Sequence, residues 1–286
     1  MLYVVATPIG NLGDMSPRAV EVLKAVALIA AEDTRVTRRL TNYFGITTPL
    51  ISCHEHNEWT RSSQLVQRMQ DEGIDIALVT DAGTPAISDP GARLVREASE
   101  AGIEVVAVPG PMAAAAALSV SGFENGEFTF FGFLPRGKKE LTDKLRSMAG
   151  TVQTAVVYES PHRISLLLQT VAEVFPGLPV SVSSELTKKF EKTLRGSVEE
   201  IIAMMDEDAY AGKGEYCAVM DLSGVLAAAE EEPAVSLEAQ LFDLLLQGMP
   251  LRLAQEALVQ AGQKRNAVYA AGLRVRAMLR QDGGDN

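Results

Sequence analysis

Side chains that bind ligands or accept protons are concentrated in short segments that follow predicted buried strands. The clearest segment is the run DAGTPAISDPG at residues 81–91, which holds two aspartates, two prolines and two glycines. Proline fixes φ and glycine lets a ligand approach the backbone, so this run predicts a rigid binding loop. Asp81 stands at the end of the strand and can accept a hydrogen bond from an ammonium or hydroxyl group. The alternative is a simple connector in which Ser88 or Asp89 caps the next helix.

Titratable side chains also follow two other segments. Glu32 and Asp33 come directly after the apolar residues 28–31, and His54 and His56 alternate along a segment that we expect to be extended. Alternate residues of an extended chain point to the same side. Carboxylates and imidazoles are common general bases, so these four residues are candidates for accepting a proton from a substrate. Two neighbouring histidines also suit zinc, but no third ligand set with clear spacing accompanies them, and we expect no metal.

Positively charged residues are concentrated in a few short segments of this chain, although its formal net charge is −11. That charge argues against a general polyanion-binding surface and leaves short basic segments as candidate anion sites. One is GFLPRGKK at residues 132–139, which lacks the final hydroxyl residue of a P-loop and is better described as a flexible basic loop. Lys188 lies in a second charged segment, residues 185–191, which predicts either a polyanion site with a catalytic lysine or a solvated hairpin.

A parallel sheet is needed to bring these segments together. From residue 2 to residue 121, short apolar runs alternate with amphipathic stretches, and the runs are apolar on both faces, as buried parallel strands are. Ligands of open α/β sheets bind at the carboxyl ends of the strands, so the loops after these strands are expected to line one crevice. These loops are residues 7–13, 32–35, 81–91 and 109–112.

The rest of the chain predicts a second α/β domain and a helical tail. Residues 122–226 favour a mixed sheet, and the run AAAEEEP at residues 227–233 is expected to be a linker. Three short amphipathic helices follow within residues 234–286, in the manner of a helical hairpin or helix-turn-helix. We therefore expect a two-domain α/β fold, with domains at 1–121 and 122–226 and a small C-terminal helical tail.

Composition excludes several classes of protein. The 286 residues are 47% hydrophobic and 22% charged, which is near the globular average and excludes a mostly disordered or fibrous chain. No apolar run approaches the roughly 18 residues of a transmembrane helix, so we expect no membrane association. The chain opens on a strand pattern rather than a signal peptide, and its two cysteines suit a reducing compartment. These features predict a cytoplasmic protein.

Seven motifs, taken together and in order, resemble a known family. They are YVVATPIGNL at 3–12, AEDTR at 31–35, HEHNE at 54–58, the loop at 81–91, VPGP at 108–111, YESPHR at 158–163 and ELTK at 185–188. Each motif is modest by itself. The ordered set, which spans about residues 1–223, is similar to the bacterial cytidine 2′-O-methyltransferases of small-subunit ribosomal RNA, a group in the tetrapyrrole methylase superfamily.

The resemblance implies a fold, a reaction and a cofactor. Two α/β domains would hold S-adenosylmethionine in the cleft between them, and a homodimer would methylate the ribose of a cytidine in 16S ribosomal RNA, either free or in the assembled small subunit. Carried over by position, the cofactor-binding residues would be Pro8, Asp81, Ala82, Gly83, Thr84, Ile87, Met112, Ala113, Tyr158, Glu159 and Gly214. Met112 departs from the small residue expected at its position.

Catalysis and RNA binding can be assigned only to sets of residues. A ribose hydroxyl is a weak nucleophile, and the candidates for accepting its proton are Glu32, Asp33, His54, His56 and Lys188. A neutral lysine in this role requires a strongly lowered pKa. The target cytidine must be splayed from its helix while its phosphates are held. The residues expected to bind RNA are Arg35, Arg136, Lys138, Lys139, Arg252, Lys264 and Arg265.

Two other functions remain open at this point. The same fold could methylate a tetrapyrrole or another small molecule, and a protein with an inactive pocket could serve as a non-catalytic RNA-binding assembly factor. The helical tail and the basic loop favour RNA, because a small substrate requires neither.

Overall fold

The computed structural model describes residues 1–124, 126–207, 214–225 and 236–281. The chain divides into two compact units, unit 1 (Met1–Ala227) and unit 2 (Ala228–Asn286). The predicted linker at 227–233 and the predicted boundaries at residues 226 and 234 lie outside the described residues. The division of unit 1 after residue 121 stays a prediction.

Unit 1 begins with the parallel sheet that the sequence predicts. Its strands are β1 (Leu2–Val5), β2 (Leu28–Ala31), β3 (Leu50–Ser52), β4 (Ile76–Val79) and β5 (Val105–Val108). They lie in the order β3-β2-β4-β1-β5, and every neighbouring pair is parallel. Strands β2 and β4 are buried along their whole length because both of their faces are apolar. Strand β3 was not predicted, since three residues are too few to show a periodic pattern.

Hydrophobic clusters form on both faces of this sheet. The helices that follow its strands are α1 (Pro17–Ala25), α2 (Thr34–Tyr43), α3 (Glu58–Glu72), α4 (Ala92–Glu100) and α5 (Ala113–Ser119). Leu28 and Ala30 of β2 belong to a cluster that includes residues of α3 and α4, whereas Ile29 and Ala31 belong to one that includes residues of α1. This division follows from the alternation of side chains along a strand. Ser16 caps α1, and its Oγ accepts from the backbone N of Ala19 at 3.1 Å.

The start of α4 differs from the prediction. Neither Ser88 nor Asp89 caps this helix, which begins after Gly91 without a cap from its own loop. Instead the Glu58 carboxylate, at the start of α3, accepts from the backbone N of Gly91 at 2.8 Å and from that of Arg93 at 3.1 Å. Glu58 therefore ties the end of the 81–91 loop to a neighbouring helix.

The second sheet of unit 1 is mixed, as predicted. Its strands are β6 (Thr129–Phe133), β7 (Thr154–Glu159), β8 (Pro179–Ser184), β9 (Lys192–Ser197) and β10 (Tyr216–Asp221), in the order β6-β7-β10-β8-β9. Only β6 and β7 pair in parallel among the described strands of this sheet. The prediction missed β9, whose sequence KTLRGS is largely polar and lacks a buried apolar face.

The helices of the second sheet pack on one large core. They are α6 (Lys138–Met148), α7 (Ile164–Val174) and α8 (Val198–Asp206). Leu141, Leu167 and Ile201, one from each helix, belong to the same buried cluster as Val157 and Val180 of the sheet. Helix α8 has a full capping box, in which Ser197 and Glu200 satisfy each other's backbone N–H groups.

Unit 2 has a core of its own. Its helices are α9 (Leu237–Leu246), α10 (Leu251–Gln260) and α11 (Arg265–Gln281), and they match the predicted helical tail. Leu241, Ala254 and Val268, one from each helix, are buried together. Gly248 and Gly262 have φ values of 84° and 95°, which allow the chain to turn sharply between the helices. Across both units, none of the described helices combines the length and the apolar character needed to cross a bilayer.

We predict that Glu58→Ala lowers the free energy of unfolding by about 1–2 kcal/mol, because two backbone N–H groups at the start of α4 lose their acceptor. Urea unfolding followed by circular dichroism measures the change. Glu55→Ala removes a nearby exposed carboxylate and is the matched control, which should stay within about 0.5 kcal/mol of the wild type. Equal effects of the two substitutions would mean that the Glu58 cap contributes nothing to stability.

Candidate functional site

The carboxyl ends of the parallel strands open onto a cavity of about 400 Å³, which we call the main hollow. All four predicted loops contribute to its lining, and segments of the second sheet form the opposite side. Its volume falls in the range of small-molecule sites. The lining residues are Ile9, Glu32, Asp81, Ala82, Gly83, Thr84, Ile87, Ser88, Asp89, Met112, Ala113, Phe133, Tyr158, Glu159, Ser160, Pro161, Leu186, Glu215, Tyr216 and Cys217.

Backbone hydrogen bonds hold the loops of the first sheet together. The backbone N of Thr7 donates to the O of Gly83 at 2.9 Å, and the N of Gly83 donates to the O of Thr7 at 3.0 Å. Gly83 has a φ of 89°, in the region that favours glycine. The Thr84 hydroxyl donates to the Pro111 carbonyl at 3.1 Å. The loops after β1, β4 and β5 are therefore joined beside the main hollow.

Three carboxylates gather near Thr80 on the first-sheet side of the main hollow. The Thr80 hydroxyl donates to Glu32 Oε2 at 2.5 Å, and the backbone N of Asp81 donates to the same oxygen at 3.3 Å. Burial raises the pKa of Asp89 to about 6, and the negative charges of Glu32 and Asp81 add to the effect. Burial also raises the pKa of Asp81. Carboxylates in such a setting favour a cationic partner.

Aromatic side chains form part of the opposite side. The Tyr158 hydroxyl accepts from the backbone N of Ala114 at 3.0 Å and so joins β7 to α5. Burial raises the pKa of Tyr158 to about 12, and the phenol stays neutral at physiological pH. The rings of Phe130 and Phe133 lie with their centroids 4.9 Å and 5.9 Å from the Tyr158 ring. Phe133 remains 62% exposed, so one aromatic face is available at the edge of the main hollow.

Glu159 is a buried carboxylate with unused hydrogen-bonding capacity. Only 2% of its surface is exposed. Its Oε1 accepts from the backbone N of Ser160 at 2.7 Å and from the Ser160 hydroxyl at 3.2 Å. Its Oε2 lies 3.4 Å from Arg163 Nη2 but accepts no hydrogen bond from the described residues. A ligand that donates a hydrogen bond to Oε2 would satisfy the remaining hydrogen-bonding capacity of this carboxylate.

A second cavity of about 410 Å³, which we call the side hollow, adjoins the main hollow. Glu32 and Asp81 line both cavities and therefore stand between them. The complete lining of the side hollow is Glu32, Asp33, Thr34, Arg35, Ser52, His54 and Asp81. These residues come from β3, from the start of α2 and from the loops after β2, β3 and β4, at the carboxyl edge of the parallel sheet.

Asp33 and Arg35 form a paired group in the side hollow. Arg35 Nε and Nη2 donate to the two carboxylate oxygens, with a shortest distance of 2.6 Å. This hydrogen bonding lowers the pKa of Asp33 to about 2. His54 donates its backbone N–H to Asn57 at 2.9 Å, but its buried Nδ1 has no hydrogen-bond partner among the described residues. The side hollow is thus lined by both hydrogen-bond donors and hydrogen-bond acceptors.

Lys188 lies in the loop between β8 and β9 of the second sheet. Its Nζ donates to Glu185 and to Glu215, each at 3.0 Å. Burial opposes the charged form, but these hydrogen bonds outweigh it and raise the pKa of Lys188. The loop is held against the first sheet by the Thr187 hydroxyl, which accepts from the backbone N of Asn11 at 3.1 Å. The lowered pKa that a catalytic lysine requires is therefore not found.

The structure separates the five candidate proton acceptors. Glu32 lines both hollows, whereas Asp33 and His54 line the side hollow alone. His56 and Lys188 belong to neither lining. The expected extended segment at His54 and His56 is wrong, because residues 55–57 form a turn in which the backbone N–H groups of Asn57 and Glu58 donate to the His54 carbonyl. Position therefore favours Glu32 and His54, because the Asp33 carboxylate is already neutralised by its arginine.

Most of the predicted cofactor-binding residues are brought together. All of them except Pro8 and Gly214 line the main hollow, and the chain neighbours Ile9 and Glu215 line it in their place. The predicted RNA-binding residues are exposed in three regions: the side hollow (Arg35), the start of α6 and the loop before it (Arg136, Lys138, Lys139) and unit 2 (Arg252, Lys264, Arg265).

Sequence reasoning missed several lining residues. Asp89 was considered only as a cap, although it lies in the same rigid loop as Asp81. Phe133 ends a strand that pairs in parallel with β7, and this pairing places it beside Tyr158. The sequence alone does not show which strands pair, so this position could not be predicted. Cys217 also lines the main hollow, and burial raises the pKa of its thiol to about 12, which keeps it protonated.

Comparison with known proteins shows to which family this chain is similar. The family described as Tetrapyrrole (Corrin/Porphyrin) Methylases matches residues 1–202. Curated relatives named "Ribosomal RNA small subunit methyltransferase I" include one from Xylella fastidiosa, 43% identical over 94% of this chain and 97% of the relative. A relative of the same name from Escherichia coli O157:H7 is 43% identical over 95% of this chain and 94% of its own length.

Solved structures with lower identity share the fold. A uroporphyrin-III-C-methyltransferase from Thermus thermophilus is 18% identical, covers 80% of this chain and 97% of its own, and has a TM-score of 0.53. A diphthine synthase is 13% identical, covers 82% of this chain and 96% of its own, and has a TM-score of 0.58.

We predict that Asp89→Asn stabilises the protein at pH 7.5 and not at pH 4. A carboxyl whose pKa is raised from 3.8 to about 6 in the folded state holds its proton more tightly there, so its contribution to stability falls as the pH rises through that window. Solvent screening of a half-buried group limits the gain to about 1 kcal/mol.

Thermal unfolding at the two pH values measures this effect. Asp143→Asn, on the exposed face of α6, is the matched control and should show no such pH dependence. A stabilisation by Asp89→Asn that is the same at both pH values would contradict the prediction.

Proposed function

The chain belongs to the tetrapyrrole methylase family, and from this premise we propose that it methylates the ribose 2′-oxygen of a cytidine in small-subunit ribosomal RNA. S-adenosylmethionine is its methyl donor. Relatives that match nearly the whole chain carry the name of a ribosomal RNA small-subunit methyltransferase, which favours RNA over a small-molecule substrate and an enzyme over a non-catalytic assembly factor. The main hollow carries the proposal, because residues with the right chemistry for the cofactor meet there.

The residues of the main hollow fit S-adenosylmethionine. Its sulfonium and ammonium groups are cations, and the carboxylates of Asp81 and Asp89 line the cavity with pKa values that a cation would lower. Glu159 offers a buried acceptor that nothing in the described chain fills. Ile87 and Met112 supply apolar surface for an aromatic base.

The proposed roles of the chain's residues are to position the reactants and to move one proton. Bound S-adenosylmethionine supplies a methyl group already activated by its sulfonium, so the protein gains most by orienting the ribose oxygen. We assign proton acceptance to Glu32. Among the described residues, the hydrogen bonds to its carboxylate are both accepted by Oε2, which leaves Oε1 for a substrate hydroxyl. Thr80 fixes the carboxylate in place.

Binding of RNA, assembly and location follow from the same proposal. Phosphates are bound by Arg136 of the loop after β6, by Lys139 at the start of α6 and by arginines of unit 2, all of which are exposed. The substrate is ribosomal RNA of the small subunit, free or assembled. A homodimer in the cytoplasm is the working state, and the domain boundary after residue 121 separates the two α/β halves.

The reaction is tested with radiolabelled S-adenosylmethionine and undermethylated small ribosomal subunits. The wild type should label a cytidine of the small-subunit RNA at its 2′-oxygen, and Glu32→Gln should reduce kcat by about 100-fold or more, since the hydroxyl loses its proton acceptor. Calorimetry with S-adenosylhomocysteine should give the same dissociation constant for both proteins. Absence of label in RNA with the wild type would reject the proposed function, and full activity of Glu32→Gln would reject only the assigned acceptor.

The affinity for S-adenosylmethionine should rise about tenfold between pH 5 and pH 7.5, because Asp89 becomes ionised in this interval and attracts a cation. S-adenosylhomocysteine lacks the sulfonium charge, so its affinity should rise less. Calorimetric titration of both ligands at several pH values measures the difference. In Asp89→Asn, the affinities for the two ligands should change with pH to the same extent. If they already do so in the wild type, the prediction is contradicted.

A further inference from the structure

The side hollow continues into a row of exposed arginines on α2. The helix starts at Thr34, inside the hollow, and carries Arg35, Arg38 and Arg39. Residues three and four apart share one face of a helix, so these arginines lie on the same side. Arg38 and Arg39 are exposed, and neither forms an ion pair in the part of the chain that the structure describes. Unpaired arginines next to a cavity provide binding sites for anions.

The side hollow itself is suited to a neutral, hydrogen-bonding ligand. Glu32 and Asp81 accept from hydroxyl and amino groups, and His54 adds an imidazole to the lining. No group of acidic, histidine or cysteine side chains within the described ranges is arranged to hold a metal ion, and the charge of Arg35 in the lining is already paired with Asp33. The side hollow is an open surface depression, and a small organic group can enter it from solvent.

The combination matches one nucleotide within an RNA chain. A ribose and a base offer hydroxyl and amino donors without net charge, and the phosphates on either side are anionic. RNA-binding proteins commonly take splayed bases into pockets while arginines hold the backbone. The shared residues Glu32 and Asp81 place any ligand of the side hollow next to a ligand of the main hollow.

We propose that the side hollow receives the target nucleoside, with its ribose against Glu32 and Asp81, and that Arg38 and Arg39 bind the flanking phosphates. The proposal rests on the proposed function, because it names where the RNA of that reaction binds. The cofactor then occupies the main hollow and the nucleoside occupies the side hollow, with Glu32 and Asp81 between the two reactants. The proton acceptor then lies between them.

Filling the side hollow tests the first part. Ser52 lines this hollow and not the main one, so Ser52→Leu occupies the space of the nucleoside without entering the cofactor site. With undermethylated small ribosomal subunits, kcat/KM for methyl transfer should fall by about 100-fold. The dissociation constant for S-adenosylhomocysteine should be unchanged. Ser99→Leu, on the exposed surface of α4, is the matched control and should keep the wild-type rate.

Wild-type transfer by Ser52→Leu would overturn this part while the proposed function stands. Absence of transfer by the wild type would instead count against the proposed function. If circular dichroism shows that Ser52→Leu is unfolded, Thr34→Leu, at another residue that lines only the side hollow, provides the same test with the same two outcomes.

Removing the arginines tests the second part. Arg38→Gln/Arg39→Gln leaves both cavities intact, so binding of S-adenosylhomocysteine should not change. Affinity for the undermethylated subunits should fall, and the slope of log K against log salt concentration should decrease by about 1.4, or about 0.7 for each lost phosphate contact. Arg96→Gln, an exposed arginine of α4, should leave the slope as in the wild type. An unchanged slope for the double variant would overturn the assignment of these residues to phosphate.

Discussion

The main hollow depends on one backbone contact, the pair of hydrogen bonds between Thr7 and Gly83. This bridge makes the loops after β1 and β4 leave the sheet together, and it requires the positive φ that glycine adopts without strain. Asp81 and Ala82 lie directly before Gly83, so their positions follow from it. Because this pair of hydrogen bonds joins backbone atoms, it does not occupy the side chains of Asp81 and Ala82, which line the main hollow.

Charge is distributed in this protein so that cations and anions bind in different places. Carboxylates gather beside Thr80, where burial and mutual repulsion raise the pKa of Asp89 to about 6. That arrangement is unfavourable without a cation and becomes favourable with one. Positive side chains are exposed instead on the loop after β6 and on α2. An acidic chain can in this way hold a sulfonium donor in its interior and a phosphate backbone at its surface.

The second sheet contributes groups that complete the cavity from the other side. Tyr158 joins β7 to α5, and Glu159 keeps a buried oxygen without a hydrogen-bond partner. The loop that carries Lys188 contains two non-glycine residues with positive φ, Glu185 and Thr187. Such conformations persist where surrounding contacts hold them, often next to ligands. Here the contacts are the ion pairs of Lys188 and the hydrogen bond to Asn11.

Apart from strands β3 and β9, the sequence by itself determined the alternation of strands and helices along the chain, the mixed second sheet and most of the segments that line the main hollow, because apolar periodicity and glycine–proline turns are local signals. It did not reveal strand β9, the cap from Glu58 or the place of Phe133, since each depends on a partner distant in the chain. The tertiary structure alone decided which candidate acids share a cavity and which are neutralised. Glu32 and Asp33 are adjacent in sequence, yet one lies between two hollows and the other is paired with Arg35, and only packing distinguishes them.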